Sequence, residues 1–132
     1  MTTIRHWNPA QIAPPSSRFS HAALATGATR HLHLSGQVGA KPDGQIADGL
    51  AAQLDAAFAN VEAGLADTGM TKANLMKLVV YLTSAAPDAI ATYRARRDQW
   101  IGDASPPAAT LLVVAGLANP AWLVEVDAYA AD

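Results

Sequence analysis

The chain has 132 residues, half of them apolar and 15 % charged, with a formal charge of −2 and no cysteine. That length holds one domain, residues 1–132, with a real hydrophobic core. Nine scattered Lys and Arg make no basic track, which argues against nucleic acid as a partner. The missing thiols exclude disulfides, cysteine nucleophiles and thiolate metal sites. MTTIRHWNPAQ has no signal-peptide pattern and no window is apolar enough to span a bilayer, so a cytoplasmic protein without a membrane partner is expected.

In chain order, Ile4–Trp7 reads as a short edge strand, and the Pro- and Ser-rich NPAQIAPPSSR as extended connector. SHAALATG and RHLHLSGQVG read as two strands about the turn Gly27-Ala28-Thr29. In the second, His31, His33 and Ser35 share one face and Leu32, Leu34 and Gly36 the other. Gly36 marks a bulge or a close backbone approach, a place where main-chain amides can meet a ligand. KPDGQIADG is turn-rich, with Asp43-Gly44 its strongest signal.

A helix follows, because Leu50, Leu54, Ala57, Phe58, Val61 and Leu65 recur at three- and four-residue steps. Asp48 is its expected N-cap and Gly69 its stop. Leu75–Thr83, apolar and rich in β-branched residues, reads as a central strand. Pro87 opens a second helix with Ile90, Tyr93, Arg97, Trp100 and Ile101 on one side, and Arg94, Arg96 and Asp98 on the other. Gly102-Asp103 ends it.

Pro106 to Ala130 reads as a closing β-hairpin. Its second arm puts Trp122, Val124, Val126 and Ala128 on one face and Leu123, Glu125, Asp127 and Tyr129 on the other. The order β, ββ, α, β, α, ββ gives an α+β fold, with about six mostly antiparallel strands and two helices on one face. The uncovered face, in a chain with few charges, calls for self-association.

Phosphate-binding glycine loops, a nucleophile elbow and zinc-protease spacing are all missing, which leaves a site built from single residues on different strands. His31 and His33 have no third ligand at a readable spacing, so no metal site is assigned. Glu125 interrupts an apolar strand, where a carboxylate either pairs across an interface or serves as general acid or base. His21, where connector meets strand, is a further candidate for proton transfer.

FSHA at 19–22, LSGQVG at 34–39, the Asn60–Gly69 segment, KLVVYLT, Pro107-Ala108 and LVEVDAYA together resemble the Rid (reactive intermediate deaminase) family, also called YjgF-like or endoribonuclease L-PSP. The similarity runs over about residues 18–130. It implies a chorismate-mutase-like fold and a homotrimer with ligand clefts between subunits. The family's deaminating members hydrolyse 2-imino or enamine acids without metal or cofactor. Carried over, Phe19 is the cleft aromatic, Ser35 and Gly36 are the ligand-facing pair, and Glu125 handles the attacking water. Thr110 and the Ser35–Gly36 backbone are candidate donors to the reacting group.

One departure matters: the family's PAR[ST] is here Pro107-Ala108-Ala109-Thr110, so Ala109 stands where an arginine would grip a substrate carboxylate. Arg18, directly before Phe19, is the first candidate for a replacement cation, with Arg94 and Arg97 behind it. The implied function is therefore cofactor-independent hydrolysis of small imines, enamines or related carbonyl compounds, the alternative being a non-catalytic trimer that binds a small-molecule ligand. Ribonuclease action, suggested by the family's other name, is disfavoured by the charge balance.

Overall fold

The computed structural model describes residues 1–132. Six strands and two helices form: β1 (Thr3–Trp7), β2 (Ala22–Thr26), β3 (His31–Val38), α1 (Leu50–Asp67), β4 (Leu75–Leu82), α2 (Pro87–Ile101), β5 (Ala108–Val113) and β6 (Val124–Ala131). The strands divide into a four-stranded sheet, in order β3-β6-β4-β5, and a two-stranded sheet of β1 and β2. A parallel bridge from Ser20 to Ala108 joins the two. Three of the four strand pairings are antiparallel and one, β4 with β5, is parallel.

The expected closing hairpin does not form. β5 and β6 run on opposite sides of β4, as parallel and antiparallel neighbours respectively. Residues 114–123 pass over the end of β4, where the Val114 amide donates to the Leu82 carbonyl (2.8 Å) and the Thr83 amide to the Leu123 carbonyl (3.2 Å). A segment that long, containing Gly116 and Pro120, bridges a strand rather than turning between neighbours. The parallel pairing follows from α2, which supplies the crossover connection between β4 and β5. Likewise β2 and β3 flank the expected turn but are not partners: β2 pairs with β1 and β3 with β6.

Both helices cover one sheet face. The α1 stripe of Leu54, Ala57, Phe58, Val61 and Leu65 is buried against Leu78, Val80, Leu82, Val124, Val126 and Ala128. Each large side chain so buried contributes on the order of 1.5–3 kcal/mol. Phe58 of α1 stacks on Trp100 of α2 at 4.7 Å between ring centroids. Gly49, with φ 85°, takes the N-cap position that sequence assigned to Asp48, and no side chain caps the helix there. Gly69, with φ 77°, carries the chain out of α1 as expected, the Met70 amide donating back to the Leu65 carbonyl.

Gln53 is a buried polar member of the same stripe. Its amide nitrogen donates to the Ala121 carbonyl (3.0 Å) and its oxygen accepts from the Leu123 amide (2.9 Å), so α1 fixes the chain just before β6.

Candidate functional site

The alternation of β6 sends Val124, Val126, Ala128 and Ala130 into the core and leaves Glu125, Asp127 and Tyr129 on the face that the helices do not cover. Strand register then arranges that face in three rungs. Val38, Glu125, Tyr81 and Leu112 form one. Asp127, Val79 and Thr110 form the next, with Ser35 and Gly36 bulged opposite Asp127. His33, Tyr129, Lys77 and Ala108 form the third, where His33 packs edge-on against Tyr129 at 5.1 Å.

Glu125 lies directly against Gly36. A Cβ on residue 36 would stand 2.2 Å from Glu125 Oε1 and 2.8 Å from Cδ, so only glycine leaves the carboxylate where it is. No side chain of the protomer hydrogen-bonds or ion-pairs with that carboxylate. Beside it the Tyr81 hydroxyl donates to Asp127 Oδ2 at 3.0 Å. This bond, then desolvation and the neighbouring negative charge, push the Tyr81 phenol above its usual 10.0. Lys77 Nζ donates to Thr110 Oγ1 at 2.9 Å, which leaves the Thr110 proton free to donate outward.

Other residues picked from the sequence lie elsewhere. Ala109 pairs in register with Leu78 and therefore faces the helices, on the opposite side of the sheet from Glu125. With Phe19, Leu111, Ser17, Tyr93, Arg94 and Arg97 it lines a cavity of about 240 Å³ between β5 and α2. His21 packs edge-on against Phe19 (5.4 Å), and its Nε2 is 2.6 Å from the Ala13 carbonyl, a contact that staples the connector. Glu125 stands on a strand two spacings from β5, about 10 Å across the sheet. Phe19 and Ala109 are thus brought together, as are Gly36 and Glu125, but one protomer does not unite the two pairs.

Arg18 points away from that cavity. Its guanidinium donates to the carbonyls of Asp98 (3.3 Å), Gly102 and Ala104 (3.3 Å), closing the C-terminal end of α2. The cation buried at the cavity is Arg97, 3 % exposed. Its Nη2 donates to Ser17 Oγ (2.7 Å), its Nε donates to Asp98 Oδ1 (2.9 Å), and its guanidinium lies over the Tyr93 ring at 5.2 Å. Burial outweighs the nearby arginines and pushes the Tyr93 phenol above 10.0. The sequence places Arg97 on the apolar side of its helix pattern, in step with Tyr93 and Ile101, which is the available sign of its burial. Tyr81 and Lys77 carry a similar sign, polar groups alternating through a strand read as central.

A second cavity, about 370 Å³, opens at the start of α2 between Leu82, Leu123 and Thr92, and neither Glu125 nor Ala109 lines it. No helix is long and apolar enough to cross a membrane.

The family model of endoribonuclease L-PSP matches residues 10–132. The structure resembles YyfB of Yersinia pestis, described as a protein of unknown function of the conserved Rid family, at 31 % identity over 98 % of both chains with a TM-score of 0.89. It also resembles NMB1025 of Neisseria meningitidis, a member of the YjgF protein family, at 27 % identity, covering 98 % of this chain and 95 % of that one, with a TM-score of 0.67. A RutC family protein of Aquifex aeolicus is 33 % identical over 70 residues; the match spans 52 % of this chain and only 54 % of that relative's length. With the family model running from residue 10 through β2 to β6 and both helices, the chain belongs to the endoribonuclease L-PSP family, the Rid or YjgF-like proteins.

Proposed function

We propose that the protein is a cofactor-independent hydrolase of small imines or enamines that works as a homotrimer, with its clefts between subunits. The observation that carries this reading is the Glu125 carboxylate, set against Gly36 on an open sheet face and engaged by no side chain of its own protomer. An unpaired carboxylate in partly apolar surroundings is suited to take a proton from water. The water oxygen then bonds to the carbon of the protonated imine, the C=N π pair moves to nitrogen, and a neutral carbinolamine forms. Return of the proton to nitrogen makes it a leaving group; as the C–N bond breaks, a lone pair of the hydroxyl oxygen forms the C=O bond and the hydroxyl proton passes to the Glu125 carboxylate, which releases ammonia and the carbonyl product. Thr110 Oγ1 and the Ser35–Gly36 amides are the donors to the reacting group.

The open sheet face, with Leu112 44 % exposed in the protomer, supports self-association, and in this reading the trimer brings one subunit's Glu125 toward a neighbour's Phe19 and Ala109. His21 would then relay protons from its place beside Phe19. The test is ammonia release from freshly generated imines by wild-type protein and Glu125→Gln. Wild type is expected to outpace the spontaneous reaction, and loss of a general base costs about 10²–10⁴-fold. Equal rates for wild type, Glu125→Gln and buffer would remove the proposal.

A second reading, a non-catalytic trimer that binds a small molecule, is favoured by Ala109, which takes the place of the family's carboxylate-gripping arginine. A ligand that raises the melting temperature without being turned over would select it. RNA cleavage has no comparable support, because nine scattered basic residues under a net charge of −2 offer no track for a phosphate backbone.

A further inference from the structure

We propose that the cavity at the start of α2 is a binding site for a small primary amine with an apolar body, its ammonium end held by Asp88. This goes beyond the hydrolase reading and does not depend on it, because neither Glu125 nor Ala109 lines the cavity. The volume, about 370 Å³, lies within the usual span of small-molecule sites, about 300–1,000 Å³. Leu50 of α1, Leu82 at the end of β4, Leu123 before β6 and Ala89 of α2 give it an apolar floor, with Leu82 only 1 % exposed.

The polar groups around that floor are mainly acceptors. Thr92 Oγ1 donates its proton to the Asp88 carbonyl (2.8 Å), so lone pairs alone remain for a ligand. Thr83 Oγ1 commits its proton in the same way, over a longer 3.5 Å, to the Leu123 carbonyl. Asp88 Oδ1 accepts from the Ala89 amide (2.9 Å), while Oδ2 has no hydrogen bond and the carboxylate no ion pair. Ser84, exposed at the rim, accepts from the Ala86 amide (3.1 Å) and is the one lining hydroxyl with a proton to spare. No lysine, arginine or histidine lines the cavity.

Such a set fits a group that only donates. An ammonium carries three donors and no acceptor, and its charge complements Asp88. The N-terminus of α2 pulls the other way, since a helix start favours anions. That pull is largely spent within the chain. Pro87 has no N–H, Asp88 Oδ1 holds the Ala89 amide, and the Ala86 carbonyl holds the Ile90 amide (3.1 Å), so the first turn keeps at most one amide for an anion. An anion would also meet the Asp88 charge at close range. The leucine floor selects for the rest of the ligand, because a hydrocarbon body displaces water from it.

The experiment measures binding to the full chain by calorimetry and thermal shift with three probes of one shape: phenethylamine, its neutral analogue 2-phenylethanol, and phenylacetate. Phenethylamine is expected to bind in the millimolar range, 2-phenylethanol at least threefold more weakly, and phenylacetate not at all. Asp88→Asn keeps an oxygen to cap the Ala89 amide but removes the charge, and should weaken phenethylamine about threefold, as for a solvent-screened pair. Ala89→Leu leaves the acceptors in place and fills the cavity, and should abolish binding. Glu125→Gln should bind the amine as wild type does, whether or not the protein turns over imines. No binding of phenethylamine, equal or tighter binding of either analogue, unchanged affinity in Asp88→Asn or in Ala89→Leu, or a loss of affinity in Glu125→Gln would each overturn the proposal.

Discussion

Gly36 leaves the space that the Glu125 side chain fills: a single methyl group on residue 36 would stand 2.2 Å from the glutamate's Oε1. The bulge at Ser35 and Gly36 brings the two strands to this approach, and the atoms in the way, Oε1, Cδ and Cγ, all belong to a flexible side chain rather than to backbone. Gly36→Ala is therefore expected to fold, with a near-native melting temperature, while swinging the carboxylate out of place. Imine hydrolysis should drop at least tenfold, since a small misplacement of a reacting group is costly. Full activity in Gly36→Ala would show that the carboxylate's position is immaterial.

Gly39 behaves differently. A Cβ there would meet Gln53 Cβ at 2.5 Å and Gln53 Cα at 2.6 Å, so the end of β3 and α1 would have to separate. Gly39→Ala should cost about 1–3 kcal/mol in denaturant unfolding, the range for overpacking a filled core. Adding Gln53→Ala should give no rescue, because the clashing Cβ and Cα remain.

The Gln53 side chain itself is a clamp on the approach to β6. Gln53→Leu keeps the volume but strands the Leu123 amide and the Ala121 carbonyl, and should destabilise by about 1–3 kcal/mol. Hydrogen exchange should rise first at 121–124, ahead of α1; uniform exchange across the chain would contradict a local clamp.

Acid sensitivity has an identifiable source at the end of β6. Arg30 Nε donates to Asp132 Oδ1 at 2.7 Å and Nη2 pairs with Oδ2, which holds the Asp132 carboxyl below its usual 3.8 despite some desolvation. A carboxyl depressed in the folded state contributes stability above 3.8 and loses it as the pH falls through the folded value. Asp132→Asn should thus be less stable than wild type at pH 7, with the gap closing below pH 3.8 in acid titrations of the unfolding midpoint. A gap that stayed constant down to the lowest pH would rule out this pair as the cause.

What the sequence revealed was what has a period. The three- and four-residue steps from Leu50 to Leu65 defined α1, and the alternation through Glu125 and Asp127 assigned both faces of β6 before any pairing was known. Pairing itself has no such signature. Two strands separated by a turn-rich segment look like a hairpin whether or not a third lies between them, so β4 between β5 and β6 was invisible locally. The glycine at 36 advertised a close approach, but not that Glu125 was its partner. Arg18 drew attention by standing next to Phe19, yet its guanidinium is spent on backbone carbonyls of α2, acceptors that every residue type carries alike. Arg97 was legible as part of the inward side of its helix, while the cavity it lines is a product of tertiary packing.

In the proposed mechanism Glu125 of one subunit works with the Phe19–Ala109 cavity of another, because a single protomer keeps them on opposite sides of its sheet. Mixing subunits tests this directly. Glu125→Gln and Ala109→Leu proteins, each inactive toward imines alone, are unfolded together, refolded as mixed trimers, and assayed for ammonia release. Random assortment places an intact glutamate beside an intact neighbouring cavity in about a quarter of the clefts, so about a quarter of wild-type activity should return. Activity that stays at the level of the separate variants would mean that each cleft draws both halves from one chain, and would contradict a cleft shared between subunits.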